Sequence, residues 1–255
     1  MDFSKFRRIR KAAPDPKFST RLHRGEYGSK KKSKVYDKDN YYPDPSNLLR
    51  ILASYHKIKK QNLLLGLGAE SLIKDIFIWH SRKFKKKHAI NSSSNYLMYN
   101  FYLKLFGYKT FLYNVNPLNE KNLTIETLKK IIQKKSINFV ILVNPSSPIE
   151  KHWNRKEILF LLKFCKKKKV IVIIDEVYQM KGGNSSINLI KKFSNLIIIR
   201  SFSKAFGYPG LRTGYIITSE NLKNEIESYR LAIELPSSTI EKSIFLLKNF
   251  TKILK

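Results

Sequence analysis

Short runs of apolar, mostly branched residues recur along this chain of 255 residues and constrain its fold more than any other feature. Each run has the length of a β-strand, and segments with apolar residues at helical spacing separate successive runs. The predicted strands are Lys87–Asn91, Lys109–Tyr113, Phe139–Val143, Val170–Ile174, Leu196–Ile199 and Tyr215–Thr218, and a further short apolar run lies at Leu63–Leu65. Near-continuous apolar strands are typical of sheets that are covered on both faces. The alternation therefore predicts an α/β fold with a mostly parallel sheet flanked by helices.

The segments between the strands predict the helices. The first helix carries Leu48 and Leu52 on one face, and Ser46 or Asn47 is expected to cap its N-terminus. A polar, basic arm that contains proline and glycine precedes it over residues 1–45. The other predicted helices are Leu72–Trp79, Tyr96–Phe106, Ile125–Gln133, Lys156–Lys166 and Glu220–Lys255.

The formal net charge of +31 is the largest compositional anomaly. It fits either binding to nucleic acid or another anionic surface, or a genome-wide bias toward Lys, Ile and Asn. The basic runs at residues 30–32, 85–87 and 166–169 are scattered along the chain. They are not interleaved with aromatic residues on one element, as a platform for single-stranded nucleic acid requires. We therefore favour the compositional bias and expect no nucleic-acid partner.

The sequence predicts a cytoplasmic protein without a membrane segment. No apolar run is long enough to cross a bilayer, and the basic N-terminus is not followed by the apolar stretch of a secretory signal. Cys165 is the single cysteine, so an intrachain disulfide cannot form, and a buried apolar role is expected for it. The five histidines show no spacing typical of metal ligands, so no metal site is predicted.

Polar side chains follow several of the predicted strands, where functional groups gather in sheets of this class. The segments are Asn144–Pro148, Ile174–Tyr178, Arg200–Arg212 and, at the start of a helix, Gly66–Ser71. Together they offer a lysine amine, a carboxylate, a phenol, an amide, hydroxyls, a guanidinium and free backbone N–H groups. Pyridoxal phosphate needs this set: an amine for its aldehyde, a carboxylate for its ring nitrogen, and donors for its phenolic oxygen and phosphate.

One of these segments also resembles a known family. Residues 201–215 read Ser-Phe-Ser-Lys-Ala-Phe-Gly-Tyr-Pro-Gly-Leu-Arg-Thr-Gly-Tyr. This stretch is similar to the cofactor-lysine signature of class I/II aminotransferases of pyridoxal-phosphate fold type I, and most similar to the histidinol-phosphate aminotransferase branch. Three shorter segments follow in the order of that family: Tyr-Pro-Asp-Pro at residues 42–45, Asn-Pro at 144–145 and Asp-Glu-Val-Tyr at 175–178. The resemblance runs from Tyr42 to the C-terminus. The lysine signature is specific, whereas Asn-Pro or Asp-Glu-Val-Tyr alone would be weak.

The resemblance implies a role for each matching residue around the cofactor ring. Lys204 would form the Schiff base with the aldehyde and shuttle the substrate proton. Asp175 would pair with the ring nitrogen, and Asn144 and Tyr178 would bind the phenolic oxygen. Tyr96 would stack on the ring. Each residue also has an ordinary structural interpretation, such as a helix cap for Asp175, a turn for Asn144 and a core aromatic for the tyrosines.

The resemblance also implies a phosphate site and a dimer. The phosphate would be bound by hydroxyls, a guanidinium and backbone N–H groups from Ser201, Ser203, Arg212, Ala69 and Glu70. Tyr42 corresponds to a tyrosine that reaches the phosphate of the neighbouring subunit, so a homodimer is expected.

The sequence departs from the family pattern near both ends. Around residues 22–28 the family's glutamate is matched by Glu26 but its neighbours differ, which favours a substrate other than histidinol phosphate, with Tyr27 facing it. Relatives continue into a small C-terminal domain with an arginine for the substrate carboxylate, whereas this sequence stops at Lys255. We predict an arm with substrate and dimer contacts over 1–45, a cofactor-binding large domain over 46–235, and the start of a truncated small domain over 236–255.

The predicted function is transfer of an amino group between an amino acid or amino-phosphate and a 2-oxo acid, with Lys204 carrying the cofactor. Whether so short a chain transaminates alone is a separate question. Two alternatives stay open. One is decarboxylation of the threonine-phosphate decarboxylase type with the same cofactor, and the other is a basic binding protein on a degenerate aminotransferase scaffold.

Overall fold

Seven strands form one sheet within residues 42–92, 95–113, 124–145, 153–179, 184–232 and 234–253, the residues that the computed structural model describes. The strands are β1 (Leu63–Leu67), β2 (His88–Ser92), β3 (Lys109–Tyr113), β4 (Phe139–Val143), β5 (Ile171–Asp175), β6 (Leu196–Ser201) and β7 (Thr213–Thr218). Their spatial order is β1-β7-β6-β5-β4-β2-β3. Strand β7 is antiparallel to both β1 and β6, and every other pairing is parallel. The prediction of a mostly parallel α/β sheet is confirmed.

The reversed direction of β7 determines which residues meet at one edge of the sheet. Val143 at the end of β4 pairs with Asp175 at the end of β5, and Ser201 at the end of β6 pairs with Gly214 near the start of β7. The end of β1 lies beside Thr213. The carboxyl ends of β1, β4, β5 and β6 therefore share this edge with the first residues of β7.

Helices connect the strands on both faces of the sheet. They are α1 (Ser46–His56), α2 (Gly68–Lys83), α3 (Leu97–Leu105), α4 (Ile125–Lys135), α5 (Arg155–Lys167), α6 (Phe202–Ala205), α7 (Glu220–Glu227) and α8 (Ser237–Ile253). Short 3₁₀ turns lie at Lys60–Asn62, Ile187–Lys191 and Pro209–Leu211. Helix α5 begins with a capping box, in which Asn154 and Glu157 each accept a hydrogen bond from the backbone N–H of the other.

Two predictions about helices are wrong. Neither Ser46 nor Asn47 caps α1, because the helix begins one residue earlier, with Pro45 in the N-cap position. The Asp44 carboxylate instead accepts the Ser46 N–H at 2.9 Å. The predicted helix from Glu220 to Lys255 is divided into α7, which ends at Glu227, and α8, which begins at Ser237. Pro236 directly precedes α8, and it disfavours helical geometry at the residue before it.

Among the described residues, the buried apolar side chains form two clusters, one on each face of the sheet. Along β5, Val172 and Ile174 join the cluster beneath α1, α4, α5 and α8, whereas Ile171 and Ile173 join the cluster beneath α2, α3 and α7. This alternation is the period-two geometry of a strand that is buried on both sides. Cys165 lies in the first cluster, fully buried, as predicted.

The C-terminal segment that was predicted to begin a second domain packs onto this core. Ile240, Leu246 and Leu247 of α8 belong to the same cluster as α1, and Ser243 bonds to Thr213 of β7. The domain boundary near residue 236 stays a prediction. Within the described ranges, no helix has the length and apolarity that crossing a membrane requires, and no cluster of side chains could hold a metal ion.

Candidate active site

A pocket of about 470 Å³ opens at the edge of the sheet where the strand ends meet. This volume is typical of sites for small molecules and cofactors. Its walls come from the ends of β4, β5 and β6, the first turns of α2 and α3, and the segment that links α6 to β7. The lining residues are Ala69, Glu70, Ile73, Asn95, Tyr96, Leu97, Val143, Asp175, Val177, Tyr178, Ser201, Ser203, Lys204, Pro209 and Arg212.

Most residues predicted for the site line this pocket together. They are Lys204, Asp175, Tyr178, Ser201, Ser203, Arg212, Ala69, Glu70 and Tyr96. They come from four elements, α2, β5, β6 and α6, and from three connecting segments, at positions up to 143 residues apart (69 to 212), so the fold brings them together.

One wall of the pocket combines the start of α2 with a guanidinium. Gly68 has φ +77°, a left-handed conformation, and a Cβ there would lie 2.9 Å from an Arg212 guanidinium nitrogen. Arg212 itself has φ +53°, which a residue with a side chain rarely adopts. A Cβ on Gly214 would lie 2.6 Å from the Ala69 nitrogen, so β7 packs directly against this turn. The wall presents a cation and the first N–H groups of a 16-residue helix, which together favour an anion.

Lys204 lies on the short helix α6, directly after the end of β6. The buried Ser201 hydroxyl caps this helix by accepting the Ser203 N–H at 3.1 Å, and it donates to the Thr213 carbonyl at 3.4 Å. The Lys204 side chain is exposed to the pocket, with its Nζ 5.8 Å from the centroid of the Tyr178 ring. The Lys204 amine therefore lies beside the face of the Tyr178 ring. The Ser201 hydrogen bonds hold the backbone of the helix that carries the lysine.

Asp175, at the end of β5, is the buried carboxylate of the pocket. Its Oδ2 accepts the Tyr99 hydroxyl at 2.7 Å, and its Oδ1 accepts the Val177 N–H at 2.9 Å. Burial raises the pKa of Asp175 from 3.8 to about 6, although both hydrogen bonds lower it.

A buried ion pair lies behind Asp175. Glu176, fully buried, pairs with Arg200 at 2.9 Å and accepts the Ser185 hydroxyl and the Ser186 N–H. Arg200 also donates to the Gln179 carbonyl, which ties the segment after β5 to β6. These contacts fix the backbone on both sides of Tyr178.

Tyr96 and Glu70 form a second polar pair at the pocket wall. The Tyr96 hydroxyl donates to Glu70 Oε2 at 3.0 Å, and burial together with this hydrogen bond raises the pKa of Tyr96 to about 12. The Tyr96 ring is about half exposed and meets Tyr99 edge to face, with centroids 6.4 Å apart. Its orientation is thus held at both the hydroxyl and the ring.

Two predicted residues do not line the pocket. Asn144 is buried, and its side chain accepts the Trp153 N–H at 2.9 Å and donates to the Trp153 carbonyl at 3.4 Å. Tyr42 is about half exposed and lies outside the pocket of its own chain. Glu26 and Tyr27, predicted near the substrate, lie outside the described residues.

Tyr99 and Asn95 were not predicted as part of the site. Tyr99 follows Tyr96 by three residues at the start of a helix, which places both on one face, and that spacing could have identified it. Asn95 lines the pocket, donates to Asn91 Oδ1 at 2.7 Å and accepts the Tyr96 N–H. Its signal was weaker, because an asparagine before a helix is ordinarily a cap.

Comparisons with known proteins identify the family of the chain. The chain matches the family described as aminotransferase class I and II over residues 2–242. It is 31% identical over 215 residues to the histidinol-phosphate aminotransferase of Pyrococcus furiosus, with 83% of this chain and 60% of that relative covered. The chain thus spans less than two thirds of the length of this relative.

Solved structures of aminotransferases share the fold of this chain. The histidinol-phosphate aminotransferase of Clostridium acetobutylicum superposes with a TM-score of 0.71 at 26% identity, over 84% of this chain and 63% of that one. The Sinorhizobium meliloti histidinol-phosphate aminotransferase, solved in complex with pyridoxal-5'-phosphate, gives 0.72 at 19% identity, over 83% and 57%, and shares the fold. Because the family match extends over residues 2–242, the chain belongs to the class I and II aminotransferase family.

Proposed function

We propose that this chain binds pyridoxal 5'-phosphate through Lys204 and acts in transfer of amino groups. The observation that carries the proposal is the shared pocket of Lys204 and Asp175, which has an anion-binding wall at Arg212 and the start of α2. When bound, the cofactor supplies an aldehyde that takes a lysine amine and a ring that withdraws electrons from the substrate.

The charges and donors of the pocket fit this cofactor. The phosphate dianion matches the Arg212 guanidinium, the hydroxyls of Ser201 and Ser203, and the N–H groups of Ala69 and Glu70. Asp175 offers a carboxylate whose raised pKa makes it a strong acceptor for a protonated ring nitrogen. The cradle is closely shaped, since Cβ atoms at Gly68 and Gly214 would meet neighbouring atoms.

The chain's own residues then have distinct tasks. Lys204 attaches the cofactor and, once released by an incoming amine, moves the substrate proton as a general base and acid. Tyr178, whose ring lies beside the lysine amine, donates its hydroxyl to the phenolic oxygen. Tyr96 covers one face of the ring, and we retain Asn144 as a second donor to the phenolic oxygen. For Asn144 this requires its side chain to leave the Trp153 backbone.

The proposed substrates are an amino acid or amino-phosphate and a 2-oxo acid. The support is the family and the names of the relatives, which are histidinol-phosphate aminotransferases. We also propose a homodimer, in which Tyr42 reaches the phosphate of the second subunit. The exposed apolar side chains of Leu97, Phe101 and Leu105 on one face of α3, beside the pocket, support such an interface.

Absorbance spectroscopy tests the proposal. Pyridoxal phosphate added to the purified protein should give a visible band from its attachment to a lysine. Lys204→Ala should abolish that band, whereas Lys191→Ala, which removes an exposed lysine outside the pocket, should keep it. A spectrum that Lys204→Ala leaves unchanged would refute the assignment. Release of label from a carboxyl-labelled amino acid would indicate decarboxylation instead of transfer.

A further inference from the structure

The carboxylate of Asp175 is held at both oxygens by donors from different parts of the chain. The Val177 N–H, two residues further along, binds Oδ1 at 2.9 Å. The Tyr99 hydroxyl, 76 residues away on α3, binds Oδ2 at 2.7 Å. A donor on each oxygen restricts rotation of the carboxylate plane. An ionised carboxylate has about four acceptor positions, so others remain for a donor in the pocket.

Tyr99 is well suited to be a permanent donor. It is fully buried, and its ring packs in the apolar cluster beneath α2, α3 and α7. Burial and then the Asp175 charge raise the pKa of Tyr99 well above its ordinary value of 10.0. The hydroxyl therefore keeps its proton and remains a donor to Asp175.

The groups around Asp175 act on its charge in opposite directions. Burial raises its pKa most, and the neighbouring Glu176 charge raises it further. The hydrogen bonds from Tyr99 and Val177 lower it, as does Arg200. Because Glu176 and Arg200 pair with each other at 2.9 Å, their effects on Asp175 partly cancel. The Tyr99 hydroxyl is thus the main side-chain donor, among the described residues, that favours the ionised carboxylate.

We propose that Tyr99 is the positioning residue of this site, which orients the Asp175 carboxylate toward the pocket and keeps it ionised. The inference rests on the proposed function in one respect, since the group that Asp175 meets in the pocket is taken to be the cofactor ring nitrogen. Tyr99 does not line the pocket itself, so it acts only through Asp175.

The test begins with the protein before any cofactor is added. The variant Tyr99→Phe removes only the hydroxyl, and Tyr113→Phe is the matched control. The Tyr113 hydroxyl is also buried and donates to the Ile141 carbonyl at 3.4 Å. NMR of ¹³C-labelled aspartate, assigned with Asp175→Asn, gives the carboxyl pKa directly.

We expect Tyr99→Phe to raise the Asp175 pKa by roughly one to two units, the range for loss of a hydrogen bond to a charged group. Tyr113→Phe should leave it unchanged. An Asp175 pKa that is the same in Tyr99→Phe and in the unmodified protein overturns the inference.

Ring-¹⁵N-labelled pyridoxal phosphate provides the second readout. In Tyr99→Phe the ring nitrogen signal should move toward the unprotonated position at a given pH, whereas Tyr113→Phe should match the unmodified protein. A signal that is identical in all three proteins overturns the positioning role. If none of the three proteins takes up the cofactor, the proposed function fails, and the carboxyl pKa alone decides the role of Tyr99.

Discussion

The buried carboxyl group of Asp175 makes the stability of the cofactor-free protein depend on pH. Burial raises its pKa from 3.8 to about 6. This shift of roughly 2 units corresponds to about 3 kcal/mol, at about 1.4 kcal/mol per unit. Because the folded protein binds the proton more tightly than the unfolded chain, the contribution is complete below pH 3.8. It is lost as the pH rises through about 6. Between about pH 4 and about pH 7 the loss amounts to about 2 kcal/mol.

Asp175→Asn isolates this contribution, since the amide has the same shape and does not titrate. Its oxygen cannot serve both donors equally well, but that cost is the same at every pH and cancels between pH values. We expect the free energy of unfolding of the variant, relative to the unmodified protein, to increase by about 2 kcal/mol from about pH 4 to about pH 7. Urea unfolding followed by circular dichroism at constant ionic strength measures this difference.

Glu220→Gln is the matched control, because it neutralises an exposed carboxyl group. Its difference from the unmodified protein should stay within about 0.5 kcal/mol over the same range. A difference for Asp175→Asn that is flat with pH, or that grows in favour of the unmodified protein, would refute the reasoning. In the folded protein the carboxyl group would then titrate as an exposed one does, and the charge that the cofactor site requires would cost nothing to maintain.

Further predictions concern the anion-binding wall and the aromatic cover. Arg212→Ala should weaken binding of pyridoxal phosphate by about 10- to 100-fold, from the roughly 1.5–3 kcal/mol of hydrogen bonds to a charged group; an unchanged Kd in a fluorescence titration would contradict its place in the cradle. Gly214→Ala should lower the free energy of unfolding by about 1–3 kcal/mol, since its Cβ would lie 2.6 Å from the Ala69 nitrogen. Gly210→Ala is the control, because a Cβ at Gly210 would have no atom within 4 Å. Thermal unfolding of both variants measures the difference, and equal effects would show that the contact at Gly214 carries no strain. Tyr96→Phe should weaken cofactor binding less than about fivefold, because only a hydroxyl is lost, whereas Tyr96→Ala should weaken it more; equal affinities for the two variants would exclude a role for the ring.

The sequence predicted those parts of the site that depend on strand ends. Asp175 and Ser201 each come at the end of a strand of branched apolar residues. The end of the strand and the position of the polar group could therefore both be predicted. The N–H groups at Ala69 and Glu70 were predicted from the family resemblance, because the two glycines before this helical pattern are a weak signal alone. These are local signals, and the register of the parallel strands turned them into one site.

The remaining features depend on tertiary packing. The Tyr99 hydroxyl donates to Asp175, which lies 76 residues away in the sequence. Apolar periodicity predicts that the ring is buried, but it does not predict this hydrogen-bond partner. The Asn144 amide is taken up by the backbone of Trp153, a contact that the Asn-Pro motif does not encode. Strand direction could not be predicted either, because an apolar run such as β7 has the same pattern whether it lies parallel or antiparallel to its neighbours.

The most direct test of the account is to identify the lysine that carries the cofactor. The chain has 39 lysine residues, so at excess cofactor a visible band can include attachment to surface lysines. Reduction with borohydride after incubation with pyridoxal phosphate makes the attachment permanent, and peptide mapping by mass spectrometry then locates it. We expect one dominant modified peptide, containing Lys204, at a stoichiometry near one per chain and lost in Arg212→Ala at low cofactor concentration. Modification spread over surface lysines, with Lys204 not enriched, would contradict the account.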